Sequence, residues 1–207
     1  MSWSLRESQA LALKAARGAG FSWGLAEEAG YAVHWLQAHG APGVRTLANY
    51  LTWRDSSGNT DSTLPISGEQ HDPNGFICPI TLGATLSDIR VALPSRLGRV
   101  RQPLLLVPFI AAATPSGSRR LTWQDTQISI SRNGFVASSP GHSIHVDHEE
   151  CQLAEEDRNI PAPSRFLRVP ESEADYIAIL GKFAARTYAP ATDESRAAAG
   201  SSLSDND

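Results

Sequence analysis

The chain has 207 residues, of which 41% are hydrophobic and 19% are charged, and its formal net charge is −4 at pH 7. A chain of this length can bury enough apolar surface to form one good hydrophobic core, so we expect a single domain over residues 1–190. The acidic balance argues against a general nucleic-acid-binding protein, which would carry a basic face.

The sequence also argues against a membrane or secreted protein. The longest strongly apolar run, residues 103–113, is roughly half as long as a spanning helix and contains Pro108. The first residues lack the basic-then-apolar order of a signal peptide. Two cysteines, Cys78 and Cys151, are too few for a disulfide framework. We therefore expect a cytoplasmic protein without membrane contact, whose thiols are reduced and buried.

The N-terminal residues predict a helical hairpin. Ser4 and Glu7 have the spacing of a capping box, and Gly18 is placed to end the first helix in a left-handed conformation. A second helix begins near Ser22, and residues 44–51 predict a short third helix. The second helix has an apolar stripe that consists of Leu25, Ala29, Ala32, Val33 and Leu36.

Residues 54–75 are rich in turn-forming residues and almost free of apolar anchors, which predicts a long polar surface loop. Between residues 76 and 169 the pattern favours strands. Residues 76–82 and 104–112 are typical of buried strands, and residues 126–138 predict a hairpin that turns at Asn133-Gly134. Two further segments, 142–151 and 164–169, are candidate strands.

A last helix is predicted from Ser172 and Asp175 onward. Its apolar stripe consists of Tyr176, Ile177, Leu180, Phe183 and Ala184. Residues 191–207 are small, polar and acidic, which predicts a mobile tail. The order of elements indicates an α+β fold with an N-terminal helical hairpin, a mainly antiparallel sheet in the middle and a C-terminal helix.

The connection between the first two helices, residues 16–30, contains four glycines, a tryptophan, an arginine and two adjacent glutamates. A phosphate-binding loop is disfavoured, because the glycine spacing does not fit a dinucleotide fingerprint and the two glutamates would repel phosphate. The segment fits a helix-hairpin corner in which Phe21 and Trp23 pack into the core.

The same corner also has the composition of a small-molecule site, and both interpretations stay open. Arg17 has the chemistry to bind a carboxylate, and Trp23 offers a flat wall. Glu27 or Glu28 would act as a base.

Three residues elsewhere are candidates for the same site. His71 is a candidate second proton-transfer group. Ser195 and Arg196 lie in the tail, for which a solvated, mobile segment is favoured. In the alternative interpretation the tail folds back over the corner as a lid, and these two side chains contribute to ligand binding. A catalytic role for Cys78 is disfavoured because an apolar run surrounds it.

Residues 142–151 contain three histidines and acidic residues, which suggests a metal site. On a strand, however, alternation leaves only His145 and Asp147 close enough to share an ion. Two ligands do not make a site, so a polar strand edge is favoured and no metal is predicted. No familiar hydrolase, nucleotide-binding or zinc-ribbon motif occurs, and the sequence names no cofactor.

The stretches KAARGAGFSWGLAEEAGYAVHWL, ICPITLGATLSD and TYAPATDESRAAAG resemble a bacterial family catalogued as a domain of unknown function, of the 3726 type. The resemblance extends over nearly the whole chain and is most specific in the N-terminal stretch. The family has no established activity, but its members occur beside genes of small-molecule catabolism. The resemblance therefore implies a role in metabolism.

Two functions remain. The favoured one is an accessory subunit of a metabolic enzyme, or a binding protein, because catalytic motifs are missing. The alternative is a small enzyme that acts on a carboxylate-bearing metabolite with a glutamate base. A cavity that gathers Arg17, Glu27 and Glu28 would favour an enzyme or a ligand-binding protein. A flat apolar patch would favour the subunit.

Overall fold

In the computed structural model, the described residues are 3–57, 76–88, 93–138, 148–161 and 166–188. Within these residues the chain forms six α-helices and one five-stranded sheet, which confirms the α+β fold. The helices are α1 (Leu5–Gly18), α2 (Trp23–Ala38), α3 (Gly43–Ser56), α4 (Pro79–Asp88), α5 (Val107–Ala112) and α6 (Ala174–Ala185). The strands are β1 (Arg96–Arg101), β2 (Ser118–Trp123), β3 (Thr126–Ser131), β4 (Gly134–Ser138) and β5 (His148–Glu156). Short 3-10 turns precede α5 and α6.

The helical hairpin forms as the caps predict. The Ser4 hydroxyl accepts a hydrogen bond from the Glu7 N–H, and the Glu7 carboxylate accepts one from the Ser4 N–H at 2.8 Å. Ser22 caps α2 by accepting from the Leu25 N–H. Helices α1 and α2 approach closely at Gly30, where a Cβ atom would lie 3.1 Å from the Gln9 carbonyl oxygen.

The prediction that Gly18 is a left-handed cap is wrong. Gly18 is the last residue of α1, Ala19 is the C-cap, and the positive φ of 91° belongs to Gly20. A Cβ atom on Gly18 would lie 1.8 Å from the carbonyl oxygen of Phe183 in α6. The glycine is therefore needed because two helix ends meet there, which local spacing could not reveal.

The sheet is antiparallel throughout, in the order β1-β5-β2-β3-β4. Leu121 at its centre pairs with Ile128 on one side and with Leu153 on the other. These three buried side chains lie on one face of the sheet and belong to the same hydrophobic core as the helices. The sheet and the helices thus share one core.

Two predicted strands are helices instead. Most of residues 76–82 belongs to the start of α4, and residues 104–112 form a 3-10 turn followed by α5. Nearly all residues of both runs are buried, so the runs carry little periodicity to distinguish a strand from a helix. Pro79 begins α4, where its missing N–H costs nothing. In the first run, Ile77 makes one parallel bridge to Val100 at the sheet edge.

The hairpin of β3 and β4 is confirmed, but Ser131 pairs with Gly134, so the two-residue loop is Arg132 and Asn133. Strand β5 confirms the end of the candidate strand 142–151, whose earlier residues 142–147 lie outside the described residues. Residues 166–169 are not a strand and make only an isolated bridge from Arg168 to Ser4.

The predicted polar loop begins later than expected, because α3 continues to Ser56. The part of that loop from residue 58 to residue 75 lies outside the described residues, as does the tail from 189 onward. The C-terminal helix is confirmed, with Ile177, Leu180 and Phe183 buried. Among the helices of the described ranges, none combines the length and apolar character needed to cross a membrane.

Glu173, at the start of α6, connects three helices. Its side chain is 2% exposed and accepts hydrogen bonds from Gln37 Nε2 at 2.7 Å and from the Arg45 N–H at 3.1 Å. The N-cap of α3 is Pro42, which has no side-chain cap, so Glu173 supplies the missing acceptor. Burial raises the pKa of Glu173, although these hydrogen bonds oppose the shift.

Candidate functional site

The loop between α1 and α2 meets the end of α6 at a cavity, which we call the elbow cavity. Its volume is about 420 Å³. The helix ends meet because Gly18 has no side chain to separate them. The lining residues are Arg17, Gly18, Gly20, Trp23, Arg186 and Thr187.

Arg17 is held in place without being neutralised. Its guanidinium carbon lies 4.7 Å from the centroid of the Trp23 ring, and its Nη1 donates a hydrogen bond to the Phe21 carbonyl. Within the described residues Arg17 has no other hydrogen bond and no carboxylate partner. Because a guanidinium has five N–H donors, most of its hydrogen-bonding capacity is available to a ligand.

The two aromatic residues of this loop have different environments. Phe21 is buried, as predicted, and its ring packs near Tyr50. The prediction that Trp23 also packs into the core is wrong, because 64% of its surface is exposed. Trp23 is the first residue of α2, and its exposed indole lines the elbow cavity as a wall beside Arg17.

The second cationic side chain of the elbow cavity is already paired. Arg186 donates two hydrogen bonds to Asp55, with distances of 2.7 Å from Nη1 to Oδ1 and 2.9 Å from Nη2 to Oδ2. The guanidinium also packs over the ring of Phe183. The hydrogen bonds from Arg186 lower the pKa of Asp55, so its carboxylate is ionised at neutral pH.

A third arginine, Arg54 of α3, contacts the loop between α1 and α2. Arg54 Nη1 donates to the Ala19 carbonyl at 2.6 Å, and its guanidinium carbon lies 4.4 Å from the centroid of the Phe21 ring. Sequence reasoning missed Arg54, Asp55 and Arg186 because they come from α3 and from the end of α6. The only sequence signal for the two arginines is their position near helix C-termini, which is a common place for a cation.

The two candidate base residues do not line the elbow cavity. Glu27 is exposed, and Glu28 is half-buried on a different side of α2. Glu28 lies five positions after Trp23 in the helix, which corresponds to a rotation of about 140° about the helix axis. The structure thus brings Arg17 and Trp23 together and leaves the glutamates outside their cavity.

Glu28 lies in an acidic environment instead. Burial raises its pKa, and the nearby carboxylates of Asp88 and Glu27 raise it further. Burial also raises the pKa of Tyr31, with a contribution from Glu28. Tyr31 donates a long hydrogen bond of 3.5 Å to the Pro108 carbonyl, so this side of α2 faces α4 and α5.

Several other candidates lie outside the described residues or have no role in the elbow cavity. Five candidate residues lie outside the described residues: His71, Ser195, Arg196, His145 and Asp147. Cys78 and Cys151 are buried free thiols, and Cys78 Sγ accepts a hydrogen bond from the Thr81 N–H. Among the described residues, no three His, Cys, Asp or Glu side chains are placed to hold a metal ion.

A second cavity, of about 570 Å³, lies on the sheet between β1, β5 and β2. It also contains two arginines, but both are paired. Arg96 lies 3.7 Å from a carboxylate oxygen of Glu150, and Arg120 lies 2.7 Å from one of Glu156. Of the two cavities, the elbow cavity is therefore the one that offers an unneutralised guanidinium.

Comparison with known proteins gives a family match for the N-terminal part of the chain but no activity. No curated protein and no solved structure matches the chain. The family match contains α1, α2, α3 and therefore Arg17, Trp23 and Asp55, whereas Arg186 lies beyond it. The resemblance extends over nearly the whole chain, whereas the family match is confined to its N-terminal part. Residues 3–75 match the family described as "Protein of unknown function (DUF3726)", which confirms the resemblance for the N-terminal part of the chain.

Proposed function

We propose that the protein binds a small carboxylate-bearing metabolite in the elbow cavity and acts as a binding protein in bacterial small-molecule metabolism. The observation that carries this proposal is the state of Arg17. It is fixed against Trp23 and the Phe21 carbonyl, yet it has no carboxylate partner in the described residues.

The chemistry of the lining favours this class of ligand. A guanidinium matches a carboxylate through two parallel N–H···O bonds, which gives both affinity and orientation. The exposed indole of Trp23 supplies a flat apolar surface beside that cation, and the Thr187 hydroxyl lies at the rim. The volume of about 420 Å³ is within the range of small-molecule pockets.

Binding is favoured over catalysis by a glutamate base. A general base must come within hydrogen-bonding reach of the proton that it removes. Glu27 and Glu28 do not line the elbow cavity, and Glu28 faces Asp88 and Tyr31 instead. The enzyme alternative would therefore need a base from another part of the chain.

The test is calorimetric titration with benzoate, preceded by thermal-shift screening of monocarboxylates. Benzoate combines a carboxylate for Arg17 with a flat ring for Trp23. We expect Arg17→Gln to weaken binding by about tenfold or more, because a charge-assisted hydrogen-bond pair is lost. The matched control is Arg6→Gln, which removes an exposed arginine from the same helix.

Two results would overturn the proposal. One is a screen in which no monocarboxylate stabilises the protein. The other is an Arg17→Gln protein that binds benzoate as well as the Arg6→Gln control does.

The accessory-subunit function is a second candidate, supported by an exposed apolar pair. Phe166 and Leu167 are adjacent and are 51% and 80% exposed. Adjacent exposed apolar side chains are a feature of protein–protein contacts. A pull-down from the native bacterium should recover a stoichiometric enzyme that Phe166→Ser/Leu167→Ser loses. A lone protein in the eluate would remove this candidate.

We also propose a cytoplasmic location. The support is that Cys78 and Cys151 are both buried and form no disulfide, as is usual for proteins of a reducing compartment. Recovery of the native protein in the periplasmic fraction of the cell would contradict this.

A further inference from the structure

The two arginines that line the elbow cavity differ in one respect. Arg17 has no carboxylate partner in the described residues, whereas Arg186 is held by Asp55 through two hydrogen bonds of 2.7 Å and 2.9 Å. Both arginines line the same cavity, and Gly18, the residue after Arg17, packs close to Arg186, since a Cβ atom on Gly18 would lie 3.4 Å from the Cβ of Arg186. A ligand that is bound to Arg17 therefore has a second, occupied guanidinium beside it.

This arrangement determines how much negative charge the cavity accepts. With Asp55 in place, Arg17 supplies the net positive charge of the lining, which matches one carboxylate. A second carboxylate on the ligand would have to displace Asp55 from Arg186, and it would then lie beside the displaced anion. Breaking a bidentate pair and bringing like charges together are both unfavourable.

We propose that Asp55 is a specificity-determining residue that restricts the elbow cavity to monocarboxylates, an inference that rests on the carboxylate-binding function proposed above. Asp55 does not line the cavity and acts through Arg186. Asp55 lies at the end of α3, within the family-matched part of the chain, whereas its partner Arg186 is the C-cap residue of α6 and lies beyond the match.

The test measures the affinities of benzoate and isophthalate, two flat ligands that differ by one carboxylate. In the wild type we expect benzoate to bind more tightly. In Asp55→Asn, Arg186 is released for the second carboxylate, and the ratio of isophthalate affinity to benzoate affinity should rise by about tenfold. Asp55→Glu keeps the charge and should leave the ratio near that of the wild type.

The matched control is Glu155→Gln. It makes the same change in net charge on an exposed carboxylate that pairs with Arg119 at 3.4 Å, on the sheet and away from the elbow. This variant should leave the ratio unchanged, so a general charge effect is separated from the role of Asp55. Melting temperatures of all variants establish that each is folded.

The outcomes separate the two proposals. If the wild type binds benzoate through Arg17 but Asp55→Asn leaves the ratio unchanged, the specificity inference is overturned and the binding function stands. An equal rise in Glu155→Gln would overturn it as well. If the wild type binds neither ligand, the proposed function fails, and the inference fails with it.

Discussion

Arginines are used differently in the helical part of the molecule and on the sheet. On the sheet, Arg96, Arg119 and Arg120 each pair with a glutamate of β5. At the elbow, Arg17 instead packs on the ring of Trp23 and donates to the Phe21 carbonyl.

The partner of each arginine determines whether its charge remains available to a ligand. Cross-strand pairs neutralise the sheet arginines, since register places a carboxylate opposite or near each of them. A carbonyl or an aromatic face orients a guanidinium without cancelling its charge. The elbow cavity therefore keeps a cation without a carboxylate partner in a fixed position, whereas both arginines that line the cavity on the sheet are paired.

The largest expected effect concerns the two aromatic residues of the elbow. Phe21→Ala should reduce the free energy of unfolding by about 3–5 kcal/mol, because a buried ring is lost and Arg54 loses its packing surface. Trp23→Ala should change it by less than about 1 kcal/mol but weaken benzoate binding. Denaturant titration and calorimetry measure the two quantities. Equal destabilisation by both substitutions would contradict the assignment of Trp23 to ligand binding.

The contact between α1 and α6 comes next. Gly18→Ala should destabilise the protein by about 1–3 kcal/mol, because the new methyl group would overlap the Phe183 carbonyl and push the helices apart. Gly24→Ala is the control, since a Cβ atom there has no neighbour within 4 Å. Chemical denaturation checks the stabilities. If the two variants are equally stable, the close approach that forms the elbow cavity is not tight.

Two carboxylates should make the free energy of unfolding depend on pH with opposite signs: Glu173 in the helical part and Glu156 in the sheet. Burial raises the pKa of Glu173 in the helical part. Burial acts in the same direction on Glu156 of the sheet, but hydrogen bonds from Arg120 and Ser129 lower its pKa overall. Because the folded state holds the Glu173 proton more tightly, its contribution to stability is lost as pH rises from the ordinary value of about 4.5 through the folded pKa. The contribution of Glu156 is present above that ordinary value and is lost as pH falls through its lower folded pKa.

Urea denaturation of the wild type, Glu173→Gln and Glu156→Gln between pH 4 and about 7.5 tests this difference. The advantage of the wild type over Glu173→Gln should shrink with rising pH, and its advantage over Glu156→Gln should grow. Parallel curves for the two variants would show that the regions do not differ in this way.

The smallest effect is expected for an exposed sheet pair. Glu155→Gln removes the partner of Arg119 and should change the free energy of unfolding by less than about 0.5 kcal/mol, because exposed ion pairs contribute little. Added salt should also have little effect on the difference between this variant and the wild type. A loss of more than about 1 kcal/mol would contradict the minor contribution expected of this exposed pair.

Half of the elbow cavity was predictable from sequence. Arg17 and Trp23 were identified because they crowd one helix connection, and the structure brings them together. Arg186 and Asp55 were not, because their contact joins the ends of α6 and α3, which are 131 positions apart in the chain. Glu27 and Glu28 were included for their nearness in sequence, yet neither lines the cavity, and the rotation of α2 directs Glu28 toward Asp88 and Tyr31.

Local signals in the sequence were sufficient to predict the capped hairpin helices, the β3–β4 hairpin and the amphipathic α6. The remaining elements depend on tertiary contacts. Residues 76–82 and 104–112 are almost entirely apolar and mostly buried, so only their surroundings in the core could favour helix over strand. The elbow cavity likewise exists because the missing side chain of Gly18 lets α1 meet α6, and a contact between distant helices leaves no periodic trace in the sequence.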